Sequence, residues 1–153
     1  MQHQFQCPRT FLSTLAIGLA FAASAVHGAE VRTGTIKSVT GLVSVLRGDS
    51  RQVVYPGDAV LERDHIITGP QSAAAFTFRD GTSISLGPNS NVTVEGFQYE
   101  STKQEGSMAL GLLSGTMRFI TGLLGKHSPD RVRIATSTAT IGIRGTDFIL
   151  EAE

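Results

Sequence analysis

Among its 153 residues the chain has no tryptophan, two tyrosines and one cysteine. That cysteine, Cys7, precedes an N-terminal apolar run, whereas a lipoprotein cysteine would follow it. Once this segment is removed the chain holds no thiol, which excludes disulfides, zinc thiolates and a cysteine nucleophile. Charge excludes more: 13 basic residues balance 13 acidic ones without a Lys/Arg run, so neither nucleic acid nor an anionic lipid surface finds an electrostatic footprint. Beyond the N-terminus no window repeats its apolar residues with a helical period, which leaves helix a minor part.

The one long apolar run is at the start. A polar opening with Arg9, apolar residues from Phe11 to Ala23 and then small residues form the layout of a secretory signal peptide. The run is shorter than the ~20 residues a membrane span needs. Cleavage is expected after Ala25 or after Gly28, with Gly28 preferred because it leaves Ala29-Glu30-Val31-Arg32 as the mature start. Residues 1–28 therefore read as a leader and 29–153 as one domain, periplasmic or secreted, with no transmembrane helix after leader removal.

Glycine, by contrast, is abundant, at 17 residues. The glycines punctuate short runs of Val, Ile, Thr and Phe, the pattern of an all-β domain. Apolar pairs flank a single residue at Val43/Val45, Phe76/Phe78, Ile84/Leu86, Val92/Val94, Met117/Phe119, Val132/Ile134 and Phe148/Leu150, as in strands with one buried face. Four runs carry Gly-Thr, at Gly34, Gly81, Gly115 and Gly145, and read as turns that open strands. Tyr55-Pro56-Gly57-Asp58 suits a type II turn, Asp80-Gly81 a hairpin and Gly87-Pro88-Asn89-Ser90 another turn. Gln98 to Ser107 and Gly125 to Arg131 read as polar, mobile loops and, with strand edges, as the elements expected to contact a partner, and Met108 to Gly125 as two core strands around a turn. The expected architecture is a single small domain of short strands, a twisted β-solenoid or β-sandwich.

Motifs for chemistry are weak. Gly122 to Ser128 lacks the first glycine and the Ser/Thr of a phosphate-binding loop, and Gly111 to Gly115 matches a membrane-helix contact pattern in a segment too short to span. His65 and His127 have no partner at metal-ligand spacing. Asp49, Asp58, Glu62, Asp64 and Asp80 each have a turn or solvation role, with Glu62-Arg63-Asp64 read as one exposed corner, and no serine stands in a nucleophile elbow. No catalytic residue, cofactor site or metal site is expected. Gly142 to Gly145 reads as the last of the glycine turns, and Arg144 as either a solvated turn residue or an arginine holding a neighbouring carbonyl or carboxylate.

Five segments in order carry a resemblance: "GTIKSVTGLVSVLRG", "VYPGDAV", "HIITGPQSAAAFTFRDGTSISLGPNSNVTV", "LLSGTMRFITG" and "VRIATSTATIGIRGTDFIL". Together they resemble the FecR domain, the periplasmic module of FecR-type iron-uptake regulators, over about Thr35 to Glu151. The family's motif residues fall on Gly57, Asp58, Thr68, Asp80, Gly81, Gly115, Arg144, Gly145, Thr146 and Phe148, as structural turns. The resemblance implies an exported, non-enzymatic sensory or regulatory module that binds an envelope protein, with a TonB-dependent receptor or another β-rich protein as candidate partner and iron-siderophore signalling as candidate context. The leader leaves no room for the family's cytoplasmic sigma-binding segment, so direct sigma-factor control is not expected. The alternative is a structural or adhesive envelope protein recognising glycan or matrix, against which the lack of tryptophan counts. A hydrolase would depend on Asp58 or Asp80.

Overall fold

Wherever apolar residues alternate with polar ones, the computed structural model shows strand. It describes residues 31–144 and 147–153; residues 1–30, which include the whole of the expected leader, and the pair Gly145-Thr146 lie outside the described residues. The strands are β1 (Arg32–Thr40), β2 (Val43–Arg47), β3 (Ser50–Val53), β4 (Ala59–Leu61), β5 (His65–Thr68), β6 (Ala73–Phe78), β7 (Ser83–Leu86), β8 (Asn91–Glu100) and β9 (Glu105–Ile120). A short helix α1 (Leu123–His127) and a 3-10 turn (Pro129–Arg131) lead to β10 (Val132–Thr136), β11 (Thr140–Gly142) and β12 (Asp147–Ala152). The all-β expectation holds, in the form of a curled antiparallel half-barrel of strand order β3-β2-β5-β8-β9-β7-β6-β1-β4. Hairpins rather than stacked coils build it. β10 lies parallel to the first part of β9 and carries β11, and β12 lies antiparallel to the last part.

Not every strand is short. Met108 to Gly125 is not two strands around a turn: residues 105–120 are one strand, β9, followed by α1. Up to Ser114 it pairs with β8 and β10, and from Gly115 it pairs with β7 and β12. Gly34 likewise lies inside β1 rather than at a turn. The polar segment Gln98 to Ser107 belongs mostly to the ends of β8 and β9, leaving only residues 101–104 as a turn, and Gly125 to Arg131 folds as the end of α1 and the 3-10 turn. Polarity hides a strand where both faces meet water, because the period-2 signal needs one buried face.

The pairing has an approximate twofold relation. The series β2-β5-β8-β9 from one side matches the series β9-β7-β6-β1 from the other, with β3 beyond β2 as β12 lies beyond β9. In each half one glycine takes the chain from one face of the curl to the other: Gly41 (φ 71°) between β1 and β2, and Gly115 (φ 85°) inside β9. Positive φ is cheap only for glycine. A Gly-Pro-x-Ser turn closes on each. Ser72 Oγ accepts from Leu42 N at 2.9 Å, and Ser90 Oγ accepts from Thr116 N at 3.0 Å. Gly69 N donates to Leu42 O and Gly87 N to Thr116 O, both at 2.9 Å. A Cβ on either glycine would collide with the serine.

One apolar core fills the curl, with Ile36, Val43, Val45, Ile66, Phe76, Ile84, Val92, Leu110, Leu112, Met117, Phe119 and Ile134 almost fully buried. Burial of side chains this large contributes on the order of 1.5–3 kcal/mol each, which is how a chain without cross-links holds its shape. All seven apolar pairs read from the sequence point inward, with Phe148 and Leu150 half-buried at the rim. There Phe148 stacks on Phe119 with ring centroids 5.2 Å apart.

Candidate protein-binding face

Residues directly opposite in paired strands share a face. Opposite the buried side of β2, β5 and β8 runs the row Val53–Ser44–Ile67–Asn91–Ser114, and beside it the row Arg51–Leu46–His65–Thr93–Gly111. Leu113 is the extra residue where the β8–β9 register shifts, and it is exposed. Leu42 and Tyr55 flank the first row just beyond its paired residues and are 62% and 65% exposed. Leu42, Val53, Tyr55 and Leu113 thus place four of the seven exposed large apolar residues described at one end of one face, around half-buried Ile67. Exposed apolar clusters of this kind mark interaction surfaces more often than scattered single residues do. The polar fringe is organised: Arg51 Nε donates to Ser44 Oγ at 2.9 Å, and His65 Nδ1 lies 3.0 Å from Thr93 Oγ1.

Two carboxylates lie inside instead of outside. Asp64, expected on an exposed corner, is 0% exposed. Arg47 holds both its oxygens, Nε to Oδ1 at 2.7 Å and Nη2 to Oδ2 at 2.8 Å, and Leu61 N donates to Oδ2 at 2.8 Å. The correction has a physical reason: a carboxylate enters a core when a forked guanidinium and an amide meet it, and here the guanidinium arrives from 17 positions away while the amide of Leu61 is local. Asp80, at 1% exposure, is met by neutral donors instead. Its Oδ2 accepts from Thr82 Oγ1 at 2.6 Å and Leu124 N at 3.3 Å, and its Oδ1 from Thr82 N at 3.0 Å. Thr82 Oγ1 in turn accepts from Gly122 N at 3.1 Å. The Asp80-Gly81 hairpin turn is therefore tied to the start of α1.

The other family-motif residues are spread over the fold. Gly57 and Asp58 form an exposed turn, with Asp58 N donating to Tyr55 O at 3.1 Å and Tyr55 N to Asp58 Oδ2 at 2.8 Å. Thr68 is buried and joins the two Gly-Pro-x-Ser turns, its Oγ1 donating to Gly87 O at 2.7 Å and accepting from Ser90 N at 2.8 Å. Arg144 is exposed, near Ile141, Asp147 and Phe148. Gly145 and Thr146 lie outside the described residues. These residues do not converge on one cleft, and among the described residues no three His, Cys, Asp or Glu side chains group to hold a metal ion. Nor is any described helix long and apolar enough to cross a membrane.

At the opposite rim, Arg118 of β9 grips Asp147 of β12, Nε to Oδ1 at 3.0 Å and Nη2 to Oδ2 at 2.6 Å. The hydrogen bonds from Arg118 hold the Asp147 carboxyl below its ordinary range, and the same bonds raise Arg118. Both groups stand in water, so the pair fastens β12 only weakly.

Sequence reasoning missed the apolar end of the face and the Arg47–Asp64 pair. The first had a signal: Leu42 beside Val43, and Tyr55 beside Val54 and Val53, interrupt the alternation and leave apolar side chains on both faces. The second had none, since nothing local distinguishes Asp64 from Glu62. Compared with protein families, residues 64–153, more than half of the chain, match the model of the family described as FecR protein. The match takes in Thr68, Asp80, Gly81, Gly115 and Arg144 to Phe148, and begins after Gly57 and Asp58. No curated protein and no solved structure matches the chain.

Proposed function

Because the chain belongs to the FecR family of regulatory, envelope-associated domains, we propose that it is an exported, non-enzymatic signalling module that binds a protein partner through the apolar end of its outer face. One observation carries the reading: Leu42, Val53, Tyr55 and Leu113 stand exposed together on a sheet face whose other side is core. Such residues are the type that anchors a protein interface, with Tyr55 as the aromatic centre. The leader-like residues 1–28 support delivery to the periplasm or beyond, with cleavage after Ala25 or Gly28. In this reading the partner is a TonB-dependent receptor or another β-rich envelope protein, and iron-siderophore supply is the stimulus.

The test is site-directed photocrosslinking in envelope preparations from iron-replete and iron-limited cells, with the crosslinker at Val53 or, as control, at Ser101 on the hairpin tip. The expected result is one adduct from Val53 with a defined envelope protein, stronger under iron limitation and lost when Tyr55→Glu is added to a chain that still melts normally. Equal crosslinking from Ser101, or no effect of Tyr55→Glu, overturns the proposed face. N-terminal sequencing of the exported protein checks the leader.

A further inference from the structure

The twofold relation divides the chain itself. β1 to β6 supply β4-β1-β6 on one side of the curl and β3-β2-β5 on the other, and β7 to β12 supply the matching strands of both sides. The halves meet at two seams, β6 against β7 (Ala74↔Leu86 to Thr77↔Ser83) and β5 against β8 (His65↔Thr93 to Ile67↔Asn91). Between the seams the two Gly-Pro-x-Ser turns bond each other, Thr68 N to Ser90 O at 2.9 Å and Asn89 N to Gly69 O at 3.2 Å. A single covalent crossing joins the halves, the turn Arg79–Thr82. It is closed by Gly81 N to Phe78 O at 3.0 Å and Phe78 N to Thr82 O at 2.9 Å, with Gly81 at φ 84°.

Each half therefore offers two strand edges that the other half of any copy would satisfy equally well. We propose that the partner for these seams includes a second copy of this chain: when the Arg79–Thr82 turn opens, β1–β6 of one molecule pair with β7–β12 of another, giving a strand-exchanged dimer with the same pairings. Every seam contact is kept in the exchange, so the equilibrium is set by the turn and by the entropy of joining two chains. Asp80 is the latch. Its carboxylate binds Thr82 and Leu124, and its carbonyl accepts from Leu123 N at 2.8 Å, holding the turn closed against α1.

Gly81→Val separates this proposal from general destabilisation. A Cβ at Gly81 meets nothing within 4 Å, so the substitution strains only the positive-φ turn, and opening the turn relieves that strain. Gly57 is the control: it too has positive φ and open space around it, but its turn lies within one half. At about tenfold per relieved turn, the dimer of Gly81→Val gains on the order of a hundredfold in association constant over wild type, and that of Gly57→Val gains nothing. Light scattering across a concentration series reads the mass.

A second variant set adds Ala75→Cys and Ser85→Cys, opposite each other across the first seam, to a Cys7→Ser chain. In the Gly81→Val background, oxidation is expected to yield covalent dimers linked through this pair, and in the wild-type turn, monomers with an internal link. A Gly81→Val chain that stays monomeric, folded or unfolded, overturns the proposal, as does a dimer in which the introduced disulfide closes within each chain instead of between the two. The latch has its own reading: Asp80→Asn shifts the same equilibrium towards dimer by less than Gly81→Val, and an unchanged monomer removes Asp80 from this role.

Discussion

Asp64 and Asp80 stand at corresponding corners of the two halves, each shortly before the strand that flanks a sheet-crossing segment, and each is buried, yet they are satisfied in different ways. At the first corner a charged side chain, Arg47, answers the carboxylate with two bonds. At the second a hydroxyl and two backbone amides do so. The same place in a fold can thus be closed by a long side chain, which a mutation can remove, or by backbone groups, which it cannot. The first corner depends chiefly on one side chain, Arg47, with a single amide, Leu61 N, beside it. The second depends on the path of the chain through Gly122 and Leu124, and so couples the hairpin turn to α1.

The two halves differ most in their crossing glycines. A Cβ at Gly115 would strike the Ser90 backbone as well as its side chain, whereas a Cβ at Gly41 would come 3.1 Å from Ser72 Cα. Gly115→Val is therefore expected to abolish folding at 25 °C, while Gly41→Val folds with a loss of about 3 kcal/mol; circular-dichroism melts of both check the order, and equal losses would mean the crossings are equivalent. Next, Arg47→Met strands the Asp64 carboxylate and costs about 3 kcal/mol in urea unfolding, most of it regained in the Arg47→Met, Asp64→Leu double variant. A smaller loss, about 1–2 kcal/mol, is expected for Thr82→Val, which removes one donor from Asp80 while its amide donors stay. If Thr82→Val costs more than Arg47→Met, the contrast between the corners fails.

The smallest effect belongs to Arg118→Ala, because an exposed ion pair is screened by water and salt. Its sign is definite. The folded-state pKa of Asp147 is lowered, so its stabilising contribution is present above the unfolded carboxylate value of about 3.9 and fades as pH falls through the lower folded value. Wild type and Arg118→Ala should differ slightly in melting temperature near neutral pH and converge in strong acid; a gap that widens on acidification contradicts the assignment.

Much of this was legible in advance, for identifiable reasons. Phe76/Phe78, Ile84/Leu86 and Val132/Ile134 announce their strands because each lies across one buried face. The tip of the β8–β9 hairpin did not announce itself, since Gln98 to Glu100 and Glu105 to Ser107 meet solvent on much of both faces. The twin turns Gly69-Pro70-Gln71-Ser72 and Gly87-Pro88-Asn89-Ser90 stood in the sequence as a repeat, but their role depended on each serine meeting the amide that follows a distant glycine, Ser72 that of Leu42 across 30 positions and Ser90 that of Thr116 across 26. The Gly-Thr repeat was visible too and is not one device: Gly34 lies inside a strand, Gly81 in a turn and Gly115 at a sheet crossing.

By itself the sequence determined the all-β class, the inward side of the strands that carry alternating apolar pairs and several of the positions where the chain reverses, because alternation, Pro-Gly and Asp-Gly act on neighbours one to four residues away. Tertiary structure alone decided which aspartates are buried and where β9 leaves one side of the curl for the other. Those outcomes rest on partners distant in sequence, Arg47 for Asp64 across 17 positions and Leu124 for Asp80 across 44, and burial of a charge depends on whether such a partner arrives.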